Sequence, residues 1–400
     1  MGRMQDIMEK TDRLGAHNYH PKEVVIERAE GAMAYGVDGR EYFDMLSAYS
    51  ALNFGHCHPE IIEAAKAQLD RVTLTSRAFY NAVLGDFYER LCAMTGKGMA
   101  LPMNTGAEAV ETALKTARRW AVDVKGVRDG SQEIIVCKNN FHGRTIAIIS
   151  MSTDDSARRA YGPYTEGFRV VEYGDAGAME AAINENTAAF LVEPIQGEAG
   201  VVVPPAGYLA KVREICSRRG ILFIADEVQT GFARTGRMFA CGHEGVEPDV
   251  YVLGKALGGG VMPVSAVAAD SDILGVFEPG SHGSTFGGNP LACAVAIKAM
   301  EILERDDYPG MASEKGAYFM DRLRGLKNGS ILEIRGKGLL IGMELSEDAA
   351  PYVKALIKAG VLAKETHERV IRFAPPIVIS REQIDAAFDR IAGVFDGQRA

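Results

Sequence analysis

Seven short apolar runs stand out along the chain: EIIVC (133–137), IAIISM (146–151), FRVVEY (168–173), AAFLVE (188–193), ILFIAD (221–226), VYVLG (250–254) and VSAVAA (264–269). They are rich in β-branched residues and show little polar alternation, the pattern of strands buried on both faces. Between them lie stretches with helical spacing. Val110, Ala113, Leu114 and Ala117 recur as one face of a helix, and YLAKVREICSRRG ends in Gly220, a C-cap residue. Alternation of this kind from about residue 100 to 270 predicts an α/β fold, a mainly parallel sheet with helices on both faces. Before it, AMAYGVDGREYFDML (32–46) reads as a hairpin with its turn at Asp38-Gly39. After Pro290 a long helical stretch leads to a smaller α+β region, with strands near GLLIGMEL (338–345) and RVIRFAPP (369–376).

Open α/β sheets bind ligands at the carboxyl ends of their strands. The run ending at residue 226 stops on two carboxylates, Asp226 and Glu227. Buried charge is costly unless paired, and the plain reading of two such acids is a solvated strand end. Side chains alternate along a strand, so Glu227 is expected to face away from Asp226. The next strand run is followed at once by Lys255 and the glycines 258–260. A lysine there is either loop punctuation or an amine that attacks a carbonyl, with glycines that let backbone approach a ligand.

Four more stretches join this pair. In MNTGAEAVETALK (103–115), Thr105, Gly106 and Ala107 open a helix, either as an ordinary N-cap or as a phosphate site. NNFHGRT (139–145) places Phe141, His142 and Arg144 in a loop, suited to stacking on a planar ring and clamping a carboxylate, or simply a surface loop with one core Phe. GSTFGGNP (283–290) carries Ser284 and Thr285 before Pro290, either a tight turn or a phosphate contact. EPIQGEAGV (193–201) offers Glu198 between glycines, solvent-exposed unless something pairs with it. Together, a phosphate-binding helix start, an aromatic, an acid at one strand end and a lysine at the next describe a site for pyridoxal phosphate (PLP). The acid would hold the pyridine nitrogen protonated and make the ring an electron sink.

Composition narrows the class without changing that picture. The 400 residues are 47% hydrophobic and 24% charged, with a formal net charge of −9, which carries no basic signature for nucleic acid. Six scattered cysteines lack any CxxC pair, so reduced thiols in a cytoplasmic protein are expected rather than a disulfide framework. No apolar run is long enough to span a bilayer, and MGRMQDIMEKTDRLG (1–15) has neither the apolar core of a signal peptide nor transit-peptide character. His56-Cys57-His58 has no matching ligand cluster elsewhere, and no metal is expected. The P-loop and GxGxxG patterns are also missing.

The stretch ILFIADEVQTGFARTGR followed by PDVYVLGKALGGG resembles the class III aminotransferases of PLP fold type I. The likeness runs nearly the whole chain and is greatest to their ornithine δ-aminotransferase branch, through GAHNYHP (15–21), SAYSALNFGHCHP (47–59), LTSRAFYNAVLG (74–85), VEPIQGEAGVVVP (192–204), HGSTFGGNPL (282–291), RGKGLL (335–340) and IRFAPP (371–376). The resemblance implies an N-terminal segment 1–50 packed with the small domain, a PLP-binding domain 51–288 and a small domain 289–400. It implies that Lys255 holds the cofactor as a Schiff base and moves the proton. Asp226 pairs with the ring nitrogen, Gln229 hydrogen-bonds the phenolic oxygen, and Phe141 stacks on the ring. Gly106, Ala107 and Ser284 belong to the phosphate end, with Thr285 supplied by a second subunit of a homodimer. Tyr19 and Arg144 hold the ornithine α-carboxylate, and Tyr49 shapes the pocket. Glu198 masks Arg372 until 2-oxoglutarate enters and its α-carboxylate takes that arginine.

Two features depart from the branch. Position 142 is His where Trp is frequent, and AMAYG (32–36) lacks the usual aromatics. The implied reaction moves the δ-amino group of ornithine to 2-oxoglutarate, giving glutamate and glutamate-5-semialdehyde, which cyclises to pyrroline-5-carboxylate. Its rivals are an acetylornithine or GABA-type aminotransferase and, from another class, a PLP-dependent aminomutase.

Overall fold

The computed structural model describes residues 2–397. Three strands come first: β1 (Ile26–Glu30), β2 (Met33–Gly36) and β3 (Glu41–Asp44). The hairpin β2–β3 turns where expected, with Gly39 at φ +79°, a left-handed value that glycine adopts without strain. The central sheet is built from β4 (Met99–Met103), β5 (Glu133–Cys137), β6 (Phe168–Val171), β7 (Thr187–Val192), β8 (Leu222–Asp226), β9 (Val250–Leu253) and β10 (Ser265–Ala269). Its order is β4-β10-β9-β8-β7-β5-β6. The pairings from β9 through β6 are parallel, and β10 runs antiparallel to both its neighbours.

Every residue of β7 and β8 is buried, which explains why they read as continuous apolar runs. Alternate side chains serve two cores. Ile134, Val136, Leu191 and Ile224 pack with the helix Gly106–Asp123 on one face. Ile135, Phe190, Phe223 and Ala225 pack with the helix Tyr208–Arg219 on the other. Truncating a ring as enclosed as Phe223 to alanine costs roughly 3–5 kcal/mol.

Two sequence expectations need correction. IAIISM is not a strand: Ile146–Ser150 is a short helix. Both edges of β5 are already taken, by β6 and β7, so the segment that follows has no strand to join there. It instead buries Ile148 and Ile149, with Ile148 in the core beside the helix Gly106–Asp123. Conversely MALPM, absent from the apolar runs expected as strands, forms β4. It carries Pro102, which a ladder accepts only at an edge, and β4 is the terminal strand.

The remaining strands are β11 (Ile331–Lys337), β12 (Leu340–Leu345), β13 (Val361–Leu362), β14 (Lys364–Thr366) and β15 (Val370–Phe373). β13 joins the N-terminal sheet beside β3, so the two ends of the chain share one sheet. β11, β12, β15 and β14 form a third, antiparallel sheet. Arg372 lies on β15, between β12 and β14. The long helix Pro290–Arg305 starts at Asn289, whose side chain caps Ala292 N–H at 2.9 Å, and packs on helices 59–69 and 84–95.

Candidate active site

β8 delivers Asp226 and Glu227 to opposite sides, and both are buried. Glu227 turns away from the cavity. Its carboxylate accepts from Thr230 Oγ1 at 2.5 Å and from the backbone N–H groups of Ala240 and Cys241, each at 2.9 Å. Burial raises its pKa, and these bonds oppose the rise. Glu227 is therefore a brace that fixes the loop after β8 to the 3-10 turn Ala240–Glu244. Asp226 faces the other way. Its Oδ2 lies 2.6 Å from His142 Nδ1, and its Oδ1 accepts from Val228 N–H at 3.1 Å.

One cavity of about 210 Å³ brings together Gly106, Ala107, Phe141, Asp226, Gln229 and Lys255. Lys255 has φ +45°, uncommon for a residue with a side chain, and burial lowers the pKa of its amine against the raising influence of Glu198 and Asp226. A lysine depressed in this way holds more of the neutral amine that nucleophilic attack requires. At the helix start, Thr105 and Glu108 form a reciprocal capping box: Glu108 N–H donates to Thr105 Oγ1 at 3.2 Å, and Thr105 N–H to Glu108 Oε2 at 2.8 Å. The ordinary N-cap is thus present, and it leaves the N–H groups of Gly106 and Ala107 as the first-turn donors.

Glu198 and Gln229 close the cavity toward β15. Glu198 Oε1 accepts from Arg372 Nη1 at 2.5 Å and from Gln229 Nε2 at 3.1 Å. Burial would raise the Glu198 pKa, but the charge and hydrogen bond of Arg372 hold it below its ordinary value. A Cβ at Gly197 would lie 1.7 Å from Gln229 Oε1, so a larger residue there would displace the Gln229 side chain. Arg372 is 1% exposed, and its guanidinium lies 5.1 Å from the Tyr49 ring centroid. Tyr49 belongs to a turn in which Ser47, Ala48, Tyr49 and Ser50 all have positive φ. Left-handed backbone in L-residues costs about 1–2 kcal/mol each, and such strain gathers at functional sites.

A second space of about 460 Å³ opens from the first, sharing Phe141 and Glu198 and reaching Arg144, Asp154 and His367. Arg144 lies 5.4 Å from the Phe141 ring centroid. Tyr19 is 75% exposed and lines neither space. Ser284 and Thr285 also stay outside this chain's own cavity. Ser284 Oγ accepts from Asn104 Nδ2 at 2.7 Å, next to the helix start, and Thr285 is exposed. His56, weighed as a metal ligand, instead lies 2.8 Å from Asp44 Oδ2.

Two cavity residues had no role in the sequence reading. His142 stands in the NNFHGRT loop with no role of its own there, yet its side chain is fully enclosed and bonded to Asp226. Glu193, at the end of β7, accepts from Phe141 N–H at 2.8 Å and Gly197 N–H at 3.3 Å. Its signal is present in the sequence: like Asp226, it is an acid at the carboxyl end of a buried strand.

The residues present fit PLP on their own geometry. Among the described residues, Gln229 Oε1 and His142 Nε2 are buried without a hydrogen-bond partner, both in the walls of this cavity. A helix start with free amides at one place and a compensated carboxylate at another match a phosphate and a ring nitrogen.

Residues 14–395 match the Aminotransferase class-III family, and the chain belongs to it. It is thus a PLP-dependent aminotransferase of fold type I. The chain is 59% identical over 394 residues to an ornithine aminotransferase of Exiguobacterium sp., covering 98% of each. Among solved structures, it is similar to the ornithine aminotransferase of Toxoplasma gondii, with TM-score 0.97 and 45% identity over 98% of this chain and 94% of that one; PLP partly occupies that protein's active site. It is also similar to the acetylornithine aminotransferase of Elizabethkingia anophelis, with TM-score 0.91 and 44% identity over 99% of this chain and 100% of that one.

Proposed function

We propose that this enzyme moves the δ-amino group of ornithine to 2-oxoglutarate, giving glutamate and glutamate-5-semialdehyde, which cyclises to pyrroline-5-carboxylate. The observation that carries the reading is the Glu198–Arg372 pair at the cavity wall. One site has to accept one substrate through its distal amine and the other through its α-carbon. A buried arginine neutralised by a half-buried glutamate presents no net charge to the first and a carboxylate clamp to the second, once the glutamate turns aside.

Bound PLP supplies an electron sink for the carbon that loses its proton. The chain's own residues do the rest. Lys255 Nζ holds the cofactor and moves the proton. Asp226 keeps the ring nitrogen protonated, and Phe141 covers the ring. Gly106 and Ala107 bind the phosphate through their N–H groups, and Gln229 meets the phenolic oxygen. Arg144 and Tyr19 take the ornithine α-carboxylate, with Tyr49 setting the pocket's width. With 2-oxoglutarate, Arg372 takes the α-carboxylate and Arg144 the distal one.

The reading includes a homodimer. Leu69, Leu74, Phe79, Tyr80 and Phe286 are large exposed apolar residues, and a further opening of about 470 Å³ beside Lys255 and Thr105 suits Thr285 of the partner subunit. We divide the chain into segment 1–50, a cofactor domain 51–288 and a small domain 289–400, and place the enzyme in the cytoplasm. Free cysteines agree with that compartment.

Purified enzyme is given 2-oxoglutarate with ornithine, acetylornithine or GABA in turn, and pyrroline-5-carboxylate is trapped. Ornithine is expected to be the preferred donor, and turnover is expected to stop when 2-oxoglutarate is omitted. Acetylornithine turned over far faster than ornithine overturns the substrate. Product formed without an oxo acid favours an aminomutase.

A further inference from the structure

We propose that Thr366 is a positioning residue: its hydroxyl pins the main chain of Glu198, so that the Glu198 carboxylate moves on and off Arg372 by rotation of its side chain about a fixed point. The inference rests on the reading that Glu198 masks Arg372 from one of the two substrates.

Glu198 is gripped at both ends by one hairpin. Its carboxylate accepts from Arg372 Nη1 at 2.5 Å, and its backbone carbonyl accepts from Thr366 Oγ1 at 2.5 Å. Arg372 lies on β15, and Thr366 ends β14. The two strands pair antiparallel, with Lys364 opposite Arg372 and Thr366 opposite Val370. Residues opposite each other, and those two apart on one strand, share a face of the sheet. Thr366, Val370 and Arg372 therefore stand on one face, and the loop that carries Glu198 rests on it. Val370 completes the contact, since a Cβ on Gly200 would lie 3.0 Å from its Cγ2.

The loop is also held on either side of Glu198. At its base Gln196 and Val202 exchange backbone hydrogen bonds, Gln196 N–H to Val202 O at 3.1 Å and Val202 N–H to Gln196 O at 2.9 Å. Beyond Glu198, Arg335 on β11 donates to the carbonyl of Gly200 from Nη2 at 2.8 Å and to that of Val201 from Nε at 3.2 Å. Thr366 acts on Glu198 itself. It is buried, so its bond to the carbonyl meets little competition from water.

A loop fixed at its base, at Glu198 and beyond leaves the Glu198 side-chain torsions as the coordinates free to move. The carboxylate then returns to Arg372 and Gln229 without reordering the backbone, and such preorganisation lowers the cost of re-forming the pair. The masked state needs the carboxylate in one place, and the unmasked state does not. Loss of the Thr366 hydroxyl therefore weakens masking, which penalises ornithine more than glutamate.

The test follows the two half-reactions of the holoenzyme separately, with ornithine and with glutamate as donor. Thr366→Val keeps the shape and deletes the donor. It is expected to raise the glutamate-to-ornithine ratio of kcat/KM by about threefold to tenfold, the scale of one hydrogen bond. Thr366→Ala deletes the same hydroxyl without β-branching and is expected to shift the ratio in the same direction. Thr366→Ser retains the hydroxyl and is expected to keep the wild-type ratio. In a Glu198→Ala background Thr366→Val is expected to leave the ratio unmoved, because no carboxylate remains to be placed. A wild-type ratio in T366V and T366A, with both rates falling together, overturns the proposal, as does a shift in T366S as large as in T366V. A T366V shift that persists undiminished without Glu198 overturns it too. If E198A alone leaves the ratio at its wild-type value, the masking reading fails and takes the proposal with it. If E198A raises the ratio and the Thr366 deletions do not, the proposal alone fails.

Discussion

Two ion pairs border the same cavity and differ in how they are enclosed. In the His142–Asp226 pair the side chains are 0% and 5% exposed. In the Arg372–Glu198 pair Arg372 is just as enclosed at 1%, but Glu198 is 28% exposed. The first pair is locked from several sides: Asp226 also takes a backbone N–H, and the loop of His142 is tied down by Glu193. The second is held mainly by Gln229 on the carboxylate side, while Nε and Nη2 of Arg372 lack partners among the described residues. Breaking a closed pair strands a buried charge, at about 3–5 kcal/mol. A pair with one partner open to water lets that partner leave and be solvated. Placement thus gives one carboxylate a fixed charge and the other a movable one.

The comparison is broken most completely at the group between the pairs. Lys255→Ala is expected to reduce transamination by at least about 10⁴-fold, measured by single-turnover loss of the amino donor, because both the nucleophile and the proton carrier go. Asp226→Asn is expected next, with kcat lower for both half-reactions alike, on the order of 10²- to 10³-fold. Arg372→Ala should act on one side only. The KM for 2-oxoglutarate is expected to rise about 10- to 100-fold, with the ornithine half-reaction changed far less, since a charge-assisted clamp is lost from one substrate alone.

The smallest expected effect is on stability against pH. The Glu193 carboxyl is raised from an ordinary 4.5 to about 7, so the folded chain keeps a proton that the unfolded chain releases. Its contribution therefore favours folding at low pH and is lost as pH rises from about 4.5 through about 7. Urea midpoints of wild type and Glu193→Gln, compared across that window, are expected to converge or cross as pH rises, by on the order of 1–2 kcal/mol.

The two pairs were also unequally legible in the sequence. Arg372, Glu198, Asp226 and Lys255 stood in recognisable stretches, and the cavity joins the last three directly. The central strands were legible because β7 and β8 are buried on both faces and are apolar except at their ends, at Thr187 and Asp226. IAIISM misled because a short apolar run has no period of its own, and only the occupied edges of β5 decide for helix. The buried side of the Asp226 pair was hidden for a related reason. His142 and Glu193 lie 51 positions apart and become partners of one site only when β5 and β7 pair in register. The bracing role of Glu227 is not legible in the sequence because two of its three partners, Ala240 and Cys241, offer backbone amides that no side-chain pattern announces.

The claim that one carboxylate is fixed and the other movable is tested most directly on Glu198→Ala. The two half-reactions are followed separately, with ornithine and with glutamate as donor to the PLP form, in wild type and variant. Unmasking Arg372 is predicted to favour glutamate, shifting the glutamate-to-ornithine ratio of kcat/KM upward by about tenfold or more. A ratio that stays at the wild-type value while both rates fall together would contradict the account.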